Sequence, residues 1–116
     1  MTTHPDFAYK LLTKADSSTL DALGHTATAV DIADGYVHLS TKDQLSETAM
    51  KYFAGEADCL LLEVHVSARS DVKWEASRGG ALFPHIYGKL SKGDETRSWT
   101  IDIPADGAPD LPGALK

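Results

Sequence analysis

The sequence predicts an α+β domain, mostly antiparallel β-sheet with two helices, and three observations carry that expectation. Leu60, Leu62, Val64 and Val66 alternate with Leu61, Glu63, His65 and Ser67, the period of two of a strand with one face in the core. Thr41 followed by Gln44 fits a capping box, and the helix it opens carries Leu45, Ala49, Tyr52 and Phe53 on one stripe. Around these, short β-rich runs are separated by turn residues, the pattern of a layered α+β fold.

Taken in order, Phe7 to Leu12 is apolar and aromatic and reads as a first strand. Lys14 to Leu23 reads as a short helix with Leu20 and Leu23 apolar and Gly24 as its C-terminal stop. Ala29 to Ile32 reads as a short strand before the Asp34-Gly35 turn, and Tyr36 to Leu39 as the next. The capped helix follows and closes at Gly55. After the alternating strand come Val72 to Glu75, the Gly79-Gly80 loop, and Leu82 to Leu90, a strand or extended segment with irregular ends. Trp99 to Ile103 is the last strand, with Trp99, Ile101 and Ile103 on one side. Residues 1–103 thus form one domain; 104–116, with Pro104, Pro109 and Pro112, reads as a loosely attached tail.

At 116 residues the chain is long enough to bury a core without staples. Its single cysteine, Cys59, cannot form an internal disulfide and adjoins an apolar run, so it reads as a buried small hydrophobe in a reducing, cytoplasmic compartment. Net charge is −6 and the basic residues are scattered, so no nucleic-acid partner is expected. No basic and apolar leader opens the chain, and Cys59 to Leu62 is too short to span a bilayer, so no membrane association is expected. The five histidines lack the i, i+4 spacing of a helical zinc site and there is no Cys-x-x-Cys, which argues against a metal.

Two stretches stand out as carriers of chemistry. In Gly35-Tyr36-Val37-His38-Leu39-Ser40-Thr41, period two puts Tyr36, His38 and Ser40 on one face. That face is either solvent-exposed or the wall of a polar pocket, and Ser40 or Thr41 also suits a helix cap. In Phe83-Pro84-His85-Ile86-Tyr87-Gly88 an imidazole and a phenol share one side; they either serve a site or pack in the core. Trp74, Glu75 and Arg78 add a stacking surface, a carboxylate and a cation, which together suit a ribose, a phosphate or an aromatic ring. The alternative is a core tryptophan with solvated charges.

Those segments, with Tyr9-Lys10-Leu11, Asp34-Gly35 and Ala49 to Gly55, make the chain resemble the mainly bacterial family called domain of unknown function 952, from about Phe7 to Leu90. More distantly it is similar to the ADP-ribosyltransferase-like fold, which includes RNA 2′-phosphotransferases. That resemblance implies NAD as a cofactor or substrate, with His38 on the ribose, Ser40 or Thr41 orienting it, and an aromatic ring such as Tyr36, Tyr52 or Phe53 on the nicotinamide. It implies His85 or Tyr87 as a late-strand partner and Glu75 as the charge opposite an oxocarbenium-like ribose. Asp34-Gly35 stands where the phosphotransferases carry an arginine, and the mono-ADP-ribosylating glutamate has no clear counterpart. Three functions follow: an NAD-utilising or nucleotide-processing transferase acting through His38, His85 and Glu75; a non-catalytic module holding a nucleotide-like or other anionic metabolite; or a structural or partner-binding domain.

Overall fold

A computed structural model describes residues 3–77 and 79–115. In chain order its elements are β1 (Phe7–Leu12), α1 (Lys14–Leu23), α2 (Ala29–Asp34), β2 (Val37–His38), α3 (Lys42–Tyr52), β3 (Cys59–His65), β4 (Val72–Ala76), β5 (Leu82–Ile86) and β6 (Glu95–Ile101). Short 3-10 turns lie at Val66–Ala68 and Gly113–Leu115. The strands form two antiparallel three-stranded sheets, ordered β1-β3-β6 and β2-β5-β4. An isolated antiparallel bridge between Tyr9 and Ser40 joins one sheet to the other.

Both faces of the first sheet are buried, where the alternation alone implied one. Ala8, Leu12, Leu62 and Val64 pack against Leu20 of α1 and against Val37 and Ile86 of the second sheet. On the opposite face, Tyr9, Leu11, Cys59 and Leu61 pack against Leu45 and Ala49 of α3. Burial pushes the Cys59 thiol above its ordinary pKa, as suits a core residue. The last strand starts at Glu95 and ends at Ile101, earlier than expected, while Ile103 still enters the core. The segment after it is packed, not loose: Pro109 and Leu115 are buried, and Leu115 joins the cluster beneath α3.

Two corrections concern helices. Ala29–Ile32 is not a strand but most of α2, giving three α-helices among the described residues. The Thr28 side chain accepts the Asp31 backbone N–H, and Gly35 ends the helix at φ 83°, a value that L side chains rarely adopt. Capping at both ends outweighs the β-preference of Val30 and Ile32, which point outward and are 56% and 69% exposed. In α3 both halves of the capping box are present, yet the stripe is Leu45, Ala49 and Phe53; Tyr52 is 75% exposed.

One polar group is buried on the α3 face of the first sheet. Glu63 receives Arg97 through Nε at 2.9 Å and Nη2 at 2.7 Å, Thr96 Oγ1 at 2.8 Å and the Tyr9 hydroxyl at 3.0 Å. The Arg97 fork outweighs burial and holds the Glu63 carboxyl at about 2, while burial first and then this carboxylate push the Tyr9 phenol up to about 12. A depressed carboxyl stabilises the fold above its unfolded value, and that contribution is lost as pH falls through the folded value. Glu63→Gln is therefore expected to lower unfolding free energy near neutrality by about 2 kcal/mol. It should also flatten the acid limb of stability between about pH 4.5 and about 2, read by urea titrations at stepped pH. An unchanged acid limb would contradict this account.

Candidate functional site

Period two sorts the second sheet. Val37, Ile86, Val72 and Trp74 face the core, so His38, His85, Lys73 and Glu75 share the other face. The register sets His38 directly opposite His85, and His85 opposite Lys73. The two motifs picked out in sequence therefore meet, with imidazole centroids 5.2 Å apart at an interplanar angle of 66°.

His85 is held on three sides and is 6% exposed. Its Nδ1 lies 2.8 Å from Glu75 Oε1, which also accepts the Tyr87 hydroxyl at 2.6 Å. The Tyr36 ring stacks on the imidazole at 4.1 Å and also touches His38 and Tyr87. Hydrogen bonds from Tyr87 and His85 hold Glu75 below the usual carboxylate range, and the same bond pushes the Tyr87 phenol up to about 12. An ionised Glu75 makes Nδ1 the donor and leaves Nε2 of the neutral ring as an acceptor. Nε2 has no hydrogen-bond partner among the described residues, and the ring lines a cleft.

His38 is clamped differently. Its Nδ1 is hydrogen-bonded to Asp31 Oδ1 at 2.6 Å, and its Nε2 lies 3.0 Å from Asp34 Oδ2, so the ring is hemmed in by two carboxylates. Asp31 also accepts the His38 backbone N–H at 3.1 Å and Lys10 Nζ at 2.7 Å, and Lys10 reaches the His38 carbonyl at 3.0 Å. Burial pushes Asp31 up, but the bonds from His38 and Lys10 outweigh it and leave the carboxyl below its ordinary value. Burial dominates at Lys10 and lowers its pKa, against the pull of Asp31.

The cleft measures about 1050 Å³, at the upper end of small-molecule sites. Its walls come from β1, the first turns of α1 and α2, β2, α3 and the β4–β5 hairpin. His38, His85 and Ser40 line it, and Ser40 Oγ is 2.9 Å from Thr48 Oγ1 on α3. Tyr36, Glu75 and Tyr87 stand behind His85 and fix its ring. Thr41 is elsewhere, capping α3. Trp74 is on the core side, stacked on His4 at 4.2 Å. Arg78 lies outside the described residues. Gly88 ends the His85 motif because a Cβ there would run into Asp71 Oδ2, which Arg69 holds in a bidentate pair.

Sequence reasoning missed Lys10, Asp31, Asp34 and Thr48. Thr28-x-x-Asp31 has the spacing of an N-cap and its third residue, which would have revealed α2 and with it Asp31. Lys10 inside an apolar run signals a buried charge that needs a partner.

Neutralising one member of a buried pair strands the other. Asp31→Asn is expected to cost about 3–5 kcal/mol, and adding Lys10→Met should recover part of that loss. A double-mutant cycle in urea measures the coupling; strictly additive losses would show that the pair is not coupled.

The family model described as Protein of unknown function (DUF952) matches residues 11–95. The crystal structure of protein CC0527 from Caulobacter crescentus is 45% identical, with a TM-score of 0.84, covering 94% of this chain and 97% of that one. The solution structure of CC0527 is also 45% identical, with a TM-score of 0.76 over 92% and 94%. No curated protein matches. With most of its length matched by that model and a relative of this similarity along nearly all of it, the chain belongs to the DUF952 family.

Proposed function

We propose that the protein is a small enzyme of the ADP-ribosyltransferase-like type, working in the cytoplasm on the N-ribosyl bond at the nicotinamide end of an NAD-like molecule. One observation carries the reading: His85, nearly buried and anchored through Nδ1 by Glu75, has its other nitrogen unpartnered among the described residues in a cleft large enough for a nucleoside. The likeness of the His38 segment to the ribose-contacting strand of that fold supplies the substrate class, as an analogy.

In this reading Ser40 and Thr48 hold ribose hydroxyls and Asp34 supplies the negative charge beside the developing cation. His85 Nε2 takes the proton of water or an acceptor hydroxyl as its oxygen bonds to C1′. The C1′–N bond breaks, and its electron pair goes to the pyridinium nitrogen, releasing neutral nicotinamide. Glu75, already engaged by His85 and Tyr87, positions the base and does not face the ribose. His38, with both nitrogens on carboxylates, shapes the wall.

The second reading is a binding module for the same class of ligand. It is favoured by the engagement of Asp31 and Glu75 in protein hydrogen bonds, which limits the carboxylates left to stabilise a cation.

Incubation with NAD or nicotinamide riboside, followed by chromatography for free nicotinamide, separates the two. The enzyme reading expects release, and His85→Gln should slow it about 100-fold or more. Saturable shifts of the His38 and His85 signals by NMR without release would establish the module. Silence at millimolar ligand would remove both.

A further inference from the structure

Resting on that reading, and narrowing its substrate from NAD to the nucleoside, we infer that the cleft selects a phosphate-free organic cation, a ribosyl-pyridinium nucleoside, over its phosphorylated forms. Two lysines, Lys10 and Lys51, lie on the described wall against three carboxylates, Asp16, Asp34 and Glu47. Lys10 is not left for a phosphate, being nearly buried with its ammonium 2.7 Å from Asp31. Lys51 is exposed and lies 2.8 Å from Glu47, so that pair adds no net positive charge to the wall.

Helix N-termini would be the other source of positive potential. The three at this wall already hold a carboxylate in their first turns, Asp16 in α1, Asp31 in α2 and Asp43 in α3. Thr13, Thr28 and Thr41 also take a backbone N–H at each. Behind His85, outside the cleft lining, partial burial and then Asp34, Glu75 and Asp31 push the Tyr36 phenol above its ordinary pKa.

The same wall offers what an uncharged or cationic nucleoside needs. His85 presents an acceptor nitrogen without a partner among the described residues, and the Ser40–Thr48 pair offers hydroxyls. Tyr52, at 75% exposure, is an aromatic face at the rim, favourable to a flat cation. A phosphate here would lose hydration and meet carboxylates in return.

The test compares nicotinamide riboside with its 5′-phosphate, by calorimetry and by NMR of the labelled full chain, near pH 7 and at low salt. The riboside is expected to bind about tenfold more tightly, a gap of the size expected for opposite charges facing a partly desolvated carboxylate. Asp16→Asn should narrow the gap, and raised salt should narrow it further. Equal or tighter binding of the phosphate, with His85 signals still shifting, would overturn the charge selection and leave the site standing. No response to either compound would overturn the selection and the nucleoside reading together.

Discussion

Asp31 is the constraint on which the arrangement rests. Its carboxylate takes Lys10 from the first sheet and both the ring and the backbone N–H of His38 from the second. The residue is 6% exposed and its bond to Lys10 is buried, while the two from His38 are partly so. A lysine beside the interior face of β1 would be a large liability alone; paired, it fixes where α2 lies across the two sheets. The Tyr9–Ser40 bridge repeats the link in backbone form, with N–H to carbonyl distances of 2.7 and 2.9 Å. Position of α2, angle between sheets and orientation of His38 are thus one problem with one solution.

Given that scaffold, the second sheet needs only alternation to build a site. One face supplies Val37, Ile86, Val72 and Trp74 to the core, which commits the other to polar residues. The register then decides which polar residues meet, and a slip by one would carry every imidazole into the apolar layer. This explains why Trp74 and Glu75, neighbours in sequence, end on opposite sides and share no role.

The same distinction marks what the sequence made legible. Tyr36, His38 and Ser40, and His85 with Tyr87, were grouped correctly because period two is local and survives any tertiary context. The pairing of His38 with His85 could not be read, since it depends on the register between strands far apart in the chain. Asp31 was hidden by Val30 and Ile32, whose β-branching argued for a strand while the Thr28 cap argued for a helix. In so short an element the cap decides, because backbone N–H groups left unsatisfied cost more than a weak propensity. The packed tail went unread for a similar reason. Pro104, Pro109 and Pro112 exclude regular structure, but they do not prevent Leu115 from filling a gap under α3.

Hydrogen-bond satisfaction separates the two histidines. Around His38 the protein supplies Asp31 to both Nδ1 and the backbone N–H and Lys10 to the carbonyl, and sets Asp34 3.0 Å from Nε2. A network braced in this way holds shape. Around His85 the same care stops short. Glu75, Tyr87 and Tyr36 fix the ring on one side, and Nε2 on the other meets no protein partner among the described residues. An imidazole so firmly oriented, with its one open nitrogen at the wall of a cleft, has the geometry of a group waiting for a donor from outside the chain.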